Sequence, residues 1–435
     1  MPKKKTALTI EERLQQALVP AEEQPYEVPE NWVWVRLGAI AEIVTGGTPS
    51  KKHPEYYGGN FPFYKPSDLD QGRLTYDASE YLSEEGKNVS RIIPKNSTAV
   101  CCIGSIGKCG YLMCEGTTNQ QINSAIPKIN SLCLYYYLCT ENFVQDLLSM
   151  ASATTIAIVN KSKMESCAFP LPPLSEQQRI VERIEELFAK LDEAKERLQE
   201  VADSFAVRKA AILHNAFTGE LTKQWRRENG VRDESWEEKK LSEITENQDS
   251  KRIPLSKSQR DNMNRIYDYY GASGIIDKVD DYIFEGKKLL IGEDGANLVT
   301  RSKDIAFIAD GKYWVNNHAH ILDVKDTVLL MYLCNYINNM DLIPYVTGSA
   351  QPKLTQAKMN NIKIFLPTLP EQHEIVRLID DLLARERAAQ QAAEQALASI
   401  DLMKKSILAR AFRGELGTNK ASEASALELL RQVLS

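Results

Sequence analysis

The chain has 435 residues, more than one hydrophobic core usually supports, so its length favours about two to four domains. Its 43% hydrophobic and 26% charged residues are typical of a globular protein, and no apolar run is long enough to predict a transmembrane helix. The net charge of −6 argues against a uniformly basic nucleic-acid binder but allows a locally basic groove.

Cysteine usage and the N-terminus bear on the cellular compartment. Seven of the eight cysteines lie between Cys101 and Cys167, and their spacings match no paired zinc-binding pattern, which favours reduced thiols. The opening Met1-Pro-Lys-Lys-Lys-Thr is basic, but no apolar stretch follows it, so it does not predict a secretory signal. We therefore expect a cytoplasmic protein.

The chain begins with an N-terminal arm, residues 1–31, in which Thr9–Val19 predicts a short partner-binding helix. A first globular region follows at residues 32–170. Its β-type run at residues 99–103, its glycine turns and a helical stretch at residues 132–148 predict a mixed α/β domain.

Residues 171–221 and 366–416 are two copies of one passage, aligned without a gap at an offset of 195, with 20 identical positions. From Ile180 and from Ile375, core-type positions recur at alternating steps of four and three, the pattern of a coiled-coil seam. We interpret the copies as two long antiparallel helices that form a coiled coil. Capping boxes are predicted at their starts, Ser175 with Gln178 and Thr368 with Glu371.

A linker, residues 222–235, leads from the first copy to a second globular region, residues 236–365, and a C-terminal tail, residues 417–435, follows the second copy. β-type runs at residues 288–291 and 305–308 and a helical stretch at residues 327–338 again predict a mixed α/β domain. The tail predicts a second short partner-binding helix.

The two globular regions also correspond to each other. Both open on a tryptophan, Trp32 and Trp236, followed by the same spacing of apolar residues. Deeper in the chain, Ile103-Gly-Ser-Ile-Gly107 followed by Asn119 parallels Ile291-Gly-Glu-Asp-Gly295 followed by Asn316. We therefore predict a mixed α/β (α+β) fold in which two globular domains are joined by the helix pair with pseudo-two-fold symmetry.

Motifs for catalysis are absent from the sequence. It contains no phosphate loop, dinucleotide fingerprint, zinc-protease helix, nucleophile elbow or Asn/Asp-Pro-Pro-Tyr/Phe element of adenine methyltransferases. His318 and His320 alternate along a predicted strand, but a metal site there would need further ligands. We predict no catalytic residue, no metal site and no cofactor bound by this chain.

Polar loops rich in Asn, Gln, Lys and aromatic residues suit the reading of base edges, because Asn or Gln matches adenine and Arg or Lys matches guanine. The candidate DNA-binding residues of the first region are Lys51, Lys52, Tyr64, Lys65, Lys108, Asn119, Gln120 and Gln121. Those of the second region are Lys251, Arg252, Tyr269, Tyr270, Ser273, Asn297, Arg301, Lys303, Asn316, Asn317 and His318.

The tandem Leu-Pro-x-Leu-x-Glu-Gln elements, the helices that end in Ala-Phe-x-Gly-Glu-Leu and the two regions that open on tryptophan resemble the specificity subunit of type I restriction-modification systems. Leu221-Thr-Lys-Gln-Trp and Tyr270-Gly-Ala-Ser-Gly-Ile-Ile resemble that family too, so the resemblance covers essentially the whole chain. The tail departs from it, because it does not repeat the Thr-Lys-Gln-Trp sequence.

This resemblance implies a non-catalytic DNA-recognition subunit. The two globular regions would be target recognition domains, each binding one half of a bipartite site in double-stranded DNA. The implied partners are two methyltransferase subunits and two restriction (motor) subunits, on which S-adenosylmethionine, ATP and magnesium are expected, and no membrane.

A different function class also fits the repeat. A coiled-coil adaptor with two protein-binding domains would have the same long helices and the same lack of catalytic motifs. It predicts weak, salt-insensitive DNA binding, whereas a DNA-recognition subunit predicts salt-dependent binding.

Overall fold

The computed structural model describes residues 9–152, 157–232, 235–348 and 350–435. The chain forms two compact units: unit 1 is Met1–Leu198 with Ala396–Ser435, and unit 2 is Gln199–Gln395. Each unit has mixed α/β structure, as predicted. Each contains one globular region and a segment of both long helices, and unit 1 is built from two separate stretches of the chain whereas unit 2 is one continuous stretch.

The helices are α1 Ile10–Ala17, α2 Leu37–Ile40, α3 Glu84–Asn88, α4 Ser131–Leu138, α5 Glu141–Met150, α6 Lys161–Ser166, α7 Leu174–Asp203, α8 Phe205–Phe217, α9 Lys223–Glu228, α10 Leu241–Ile244, α11 Lys257–Arg260, α12 Asn297–Thr300, α13 Thr327–Asn339, α14 Gln356–Asn360, α15 Leu369–Ala411 and α16 Ala426–Leu434. The strands are β1 Val33–Arg36, β2 Ala41–Thr45, β3 Tyr57–Tyr64, β4 Glu80–Leu82, β5 Thr98–Cys101, β6 Cys109–Tyr111, β7 Thr117–Thr118, β8 Ile122–Pro127, β9 Ala168–Leu171, β10 Glu237–Lys240, β11 Glu246–Asn247, β12 Tyr267–Gly271, β13 Gly274–Val279, β14 Phe284–Glu285, β15 Lys288–Gly292, β16 Ala306–Ala309, β17 Lys312–Val315, β18 Ala319–Asp323 and β19 Lys363–Leu366.

Unit 1 contains a four-stranded antiparallel sheet with strand order β2-β8-β5-β6. It also contains a smaller, three-stranded sheet with strand order β4-β3-β7. The buried helix α4 packs into the core of the unit, and Asn130 caps it by accepting from two backbone amides. The helix predicted for residues 132–148 is two helices, because Thr140 caps the start of α5.

Unit 2 repeats this plan with the antiparallel sheet β11-β18-β15-β16 and a second sheet, β13-β12-β17-β14. Asp326 caps α13 as Asn130 caps α4, again by accepting from the amides two and three residues on. The prediction of a helix over residues 327–338 is confirmed by α13. The strand predicted at residues 288–291 is confirmed by β15.

The long helices pack antiparallel within each unit, as the seam predicts. In unit 1 the ion pair of Asp192 and Lys404, with 2.5 Å between the charged atoms, joins α7 to α15. In unit 2 Arg208 of α8 pairs with Glu386 of α15 at 2.6 Å. The first helix is interrupted at Ser204, between α7 and α8, whereas α15 is continuous. The seam is not buried along its whole length, since Met403 is 50% exposed.

A buried carboxylate from the repeated Glu-Gln motif joins three segments of unit 1. Glu176 is fully buried and accepts from the indole of Trp32 at 2.7 Å, from the amide of Asn419 at 2.8 Å and from the hydroxyl of Thr418 at 3.2 Å. The domain start, the first helix and the tail therefore meet at one side chain.

Glu371 takes the same role in unit 2. It is fully buried and accepts from the indole of Trp236 at 3.1 Å, from the hydroxyl of Thr222 at 2.7 Å and from the guanidinium of Arg226 at 2.8 Å. Helix α15 begins at Leu369, so Thr368 stands at the predicted N-cap position, and the capping box with Glu371 stays a prediction. Ser175, the other predicted cap, lies inside α7.

The arm and the tail pack on each other in unit 1. Helix α1 contacts α16, and the guanidinium of Arg13 donates to the carbonyl of Leu434 at 2.8 Å. The carbonyl of Asn31 accepts from the amide of Ala426 at 2.9 Å. Both predicted short helices are present, and their partner-binding role stays a prediction. Among the residues that the structure describes, no helix combines the length and apolar character needed to cross a bilayer.

Candidate nucleic-acid interface

Three loops of unit 1 meet at one end of its antiparallel sheet. Cys102, directly after β5, donates its backbone amide to the carbonyl of Gln121 at 2.7 Å. Its own carbonyl accepts from the amide of Val159 at 2.9 Å. Neighbouring antiparallel strands bring the end of β5 and the start of β8 to the same edge. We call these loops, residues 102–107, 119–123 and 157–159, loop cluster 1.

Unit 2 forms the same arrangement. Glu293, directly after β15, donates its amide to the carbonyl of His318 at 2.9 Å, and its carbonyl accepts from the amide of Leu354 at 2.8 Å. We call the three loops, residues 293–297, 316–320 and 350–354, loop cluster 2. The correspondence of the two globular regions therefore extends to individual backbone hydrogen bonds.

The glycine loops correspond with a shift of three residues relative to the sequence prediction. Gly104 donates to the third loop of cluster 1 and Gly295 to that of cluster 2, so these two glycines are equivalent. Both have positive φ, 80° and 108°. The sequence match had placed Gly104 opposite Gly292, but Gly292 ends strand β15, where a side chain would meet the carbonyl oxygen of Ala272 at 2.6 Å.

Asn119 holds the middle loop of cluster 1. Its backbone amide donates to the carbonyl of Tyr64 at 3.1 Å, and its side-chain oxygen accepts from the amide of Gln121 at 3.0 Å. The residue is only 8% exposed. With the loop held at both ends, Gln120 is left exposed, and its side-chain oxygen lies 2.5 Å from the hydroxyl of Thr48.

Asn316 holds the middle loop of cluster 2 by the same two contacts. Its amide donates to the carbonyl of Tyr270 at 3.0 Å, and its side-chain oxygen accepts from the amide of His318 at 2.8 Å. The next residue, Asn317, is exposed. The ring of His318 is half exposed and lies 2.8 Å from the carboxylate of Asp294. The middle loop of each cluster thus presents one exposed amide side chain.

The predicted lysines of unit 1 lie in two environments. Lys51 and Lys52 are exposed in the loop after β2, where a phosphate could reach them. Lys65 and Lys108 make ion pairs of 2.8 and 2.6 Å with acidic side chains. Such partly exposed pairs contribute little to stability, so either lysine can exchange its partner for a phosphate at small cost.

The predicted tyrosines are buried. The hydroxyl of Tyr64 donates to the carbonyl of Tyr76 at 3.0 Å, and that of Tyr269 accepts from the amide of Leu255 at 3.0 Å. Burial raises the pKa of Tyr64 and of Tyr270 above the usual range, so both hydroxyls stay protonated. Their rings form part of the cores beneath the loops.

Lys251, Ser273 and Lys303 of unit 2 are exposed. Asn297 has a side chain that accepts from the backbone amide of Lys303 at 3.0 Å and so shapes its own loop. The guanidinium of Arg301 donates to the carbonyl of Asn338 at 2.6 Å, and burial lowers its pKa. Arg301 also has a positive φ of 53° at the end of α12.

Arg252 is one member of a charged cluster, buried except for Lys353, that the sequence did not predict. Its guanidinium is 2.7 Å from the carboxylate of Glu293 and 3.4 Å from that of Asp249. Lys353 lies 3.1 Å from the other Glu293 oxygen, and His320 is 2.6 Å from Asp249. The acidic members were not among the predicted DNA-binding residues, because those were chosen as amide, cationic and aromatic side chains. Their only sequence signal was the Glu-Asp pair before Gly295.

Within the ranges that the structure describes, no group of three or more His, Cys, Asp and Glu side chains is placed to hold a metal ion. His320 has a carboxylate and a carbonyl oxygen as its ring partners, and the neighbouring His318 contacts Asp294.

The geometry can be compared with known proteins. A family model described as the type I restriction modification DNA specificity domain matches residues 29–203 and again residues 233–396. These two matches cover most of the chain, one in each globular region with its following helix. The chain belongs to the family of type I restriction-modification specificity subunits. Such subunits are the non-catalytic DNA-recognition components of their systems.

Specificity subunits from several bacteria are similar to the chain. A putative type I restriction enzyme specificity subunit of Haemophilus influenzae is 40% identical over 147 residues, 34% of this chain and 37% of that protein. The EcoR124I/EcoR124II specificity subunit of Escherichia coli is 35% identical over 159 residues, 39% of its length. The matches to these two proteins thus span well under half of their lengths. The EcoDI specificity subunit of Escherichia coli is 25% identical over 90% of both chains.

Solved specificity-subunit structures share the fold. The HsdS subunit from Thermoanaerobacter tengcongensis has a TM-score of 0.64 at 18% identity, covering 90% of this chain and 99% of that one. A chain from a study of complex assembly and conformational transition of the type I restriction-modification system has a TM-score of 0.65 at 17% identity, covering 90% and 100%. At this identity the comparison concerns the fold alone.

Proposed function

We propose that this specificity subunit binds a bipartite target in double-stranded DNA, one half-site through each unit. The observation that carries the proposal is the repeated loop cluster. In both units the same hydrogen bonds hold a short loop and leave an amide side chain exposed, Gln120 in one and Asn317 in the other. An amide presents a donor and an acceptor at the spacing of the adenine edge in the major groove.

Not every predicted residue suits direct contact equally. Lys51, Lys52, Lys251 and Lys303 are exposed and can neutralise phosphates. Gln120 and Asn317 are the side chains we assign to base reading. The buried Asn119 and Asn316 would act by holding the reading loops.

We further propose that the subunit works in the cytoplasm as the scaffold for two methyltransferase and two restriction subunits. These partners would carry S-adenosylmethionine, ATP and magnesium. The support is family membership together with the two similar units, since a repeated scaffold offers the same docking surface twice.

The proposed function predicts a defined motif in a binding selection. When the full chain is incubated with randomised DNA duplexes and the bound fraction is sequenced, we expect two specified half-sites separated by an unspecified gap. Binding should weaken steeply as salt rises, because phosphate contacts release counterions. If no motif were enriched and binding were weak and independent of salt, the result would favour the protein-binding adaptor instead.

Replacing Asn317 by alanine is expected to relax the second half-site and leave the first unchanged. A lost bidentate amide–adenine pair costs about 1–3 kcal/mol of discrimination. The measurement is the base preference at each position in the same selection. Asn361→Ala is the matched control, because Asn361 is exposed in unit 2 outside the loop cluster. If both replacements had equal effects, or if Asn317→Ala relaxed both half-sites, Asn317 would not be a base-reading residue.

A further inference from the structure

A buried histidine beneath loop cluster 2 has acceptors on both ring nitrogens. His320 is 1% exposed. Its Nδ1 lies 2.6 Å from a carboxylate oxygen of Asp249, and its Nε2 lies 2.7 Å from the carbonyl oxygen of Leu354. A carbonyl oxygen accepts only, and so does an ionised carboxylate. Both contacts therefore form as hydrogen bonds only when the ring carries protons on both nitrogens.

Charged groups from several elements face this ring. The carboxylate of Glu293 is 3.7 Å from Nδ1, and Arg252 and Lys353 pair with that carboxylate. Burial, the largest effect, would raise the pKa of Asp249, but the hydrogen bond and charge of His320, the amide of Ile321 and the charge of Arg252 together hold that pKa below its usual range. Burial opposes ionisation of Glu293 as well, and Arg252 chiefly offsets it, so its pKa is also lowered. Both carboxylates are thus ionised near neutral pH.

Unit 1 has a neutral amide at the same place. Asn123 follows Asn119 by four residues, as His320 follows Asn316, and it is 2% exposed. Its side-chain oxygen accepts from the hydroxyl of Thr45 at 2.7 Å, and its nitrogen donates to the carbonyl of Val159 at 3.4 Å. Val159 and Leu354 are equivalent, since each donates its amide to the residue that follows the central strand β5 or β15.

We propose that Asn123 and His320 are equivalent positioning residues. Each hydrogen-bonds both to the segment at the end of the first sheet strand and to the third loop, and so holds these two segments against the strand that carries the middle loop. Only the hydrogen bonds of His320, in unit 2, depend on pH. The inference rests on the proposed function, because the loops so positioned are those assigned to DNA reading.

The direction of the pH effect follows from the donors. At a pH where the imidazole holds both protons, both hydrogen bonds of His320 form. As the pH rises and the ring loses one proton, a nitrogen lone pair faces an oxygen in a buried site. One of the two hydrogen bonds of His320 is then lost. In unit 1 Asn123 contacts the titratable thiol of Cys102, and burial raises the pKa of that thiol to about 12. The hydrogen bonds of Asn123 therefore stay unchanged over the same range.

The test is the binding selection with randomised DNA duplexes, run with the full chain at about pH 5.5 and at about pH 9, below and above the ordinary imidazole pKa of about 6.5. For the wild type we expect preference for the second half-site to fall about tenfold at the higher pH, while the first half-site keeps its preference as an internal control. His320→Asn removes the imidazole and should make the second half-site insensitive to pH, and Asp249→Thr combined with His320→Asn also restores the hydroxyl donor that Thr45 supplies to Asn123 in unit 1. His373→Asn, an exposed histidine, should behave as the wild type.

The outcomes separate the two proposals. If the wild type enriches no motif at either pH, the proposed function fails. If it enriches a bipartite motif whose second half persists at high pH, or if His320→Asn keeps the wild-type pH dependence, the positioning inference is overturned.

A measurement on the wild type covers the case in which His320→Asn does not fold. Nitrogen NMR of ¹⁵N-histidine-labelled protein reports the protonation of each ring directly. A buried imidazole that has two protonated nitrogens at the lower pH and loses one proton at the higher pH supports the inference, and a buried ring whose protonation is the same at both pH values overturns it.

Discussion

Replacing Glu371 by alanine is expected to lower the free energy of unfolding of unit 2 by about 3–5 kcal/mol, the cost of breaking a buried ion pair by removing one partner. The fully buried carboxylate accepts from Trp236, Thr222 and Arg226. Without it, the guanidinium of Arg226, whose side chain is 8% exposed, loses its ion pair with Glu371. Urea unfolding, monitored by hydrogen exchange of the Trp236 indole proton, measures the change in the stability of this unit.

Two variants sharpen this test. Glu394→Ala removes an exposed carboxylate from the same helix and should change stability by no more than about 0.5 kcal/mol. Glu371→Gln keeps the shape and one acceptor but not the charge, so its loss should be intermediate. If Glu371→Ala cost no more than Glu394→Ala, the carboxylate would not be what joins the three segments of the unit.

Exchanging residues 236–365 for the corresponding region of another family member is expected to change one half of the recognised sequence and leave the other half intact. Unit 2 has its own sheets, its own buried core and its own loop cluster, so under the proposed function we expect its loops to specify one half-site by themselves. The measurement is the sequence context of methylated adenines in cells that carry the complete system.

The reciprocal exchange is the control for modular recognition. Replacing residues 32–170 should change the other half of the sequence only. If either exchange altered both halves together, the two regions would have to form one composite site, and assignment of one half-site to each unit would be wrong.

The sequence by itself determined the features that depend on local pattern. The gapless repeat predicted two long helices, because the seam spacing is written into consecutive residues, and α7, α8 and α15 confirm them. The paired tryptophan openings predicted two similar domains, and the repeated motifs identified the family. Helix α13 was also predicted, because its apolar run is uninterrupted.

Contacts between distant parts of the chain were decided only by the tertiary structure. The sequence did not predict the hydrogen bonds of Glu176, because its partners Trp32 and Thr418 lie 144 and 242 residues away. No local pattern indicates contacts between residues so far apart. Asn119 was predicted as a candidate DNA-binding residue from its residue type, and only the fold shows that it is 8% exposed and accepts from the amide of Gln121. Residue type limits which hydrogen bonds a side chain can make, but burial and the neighbours that the fold supplies decide which of them form.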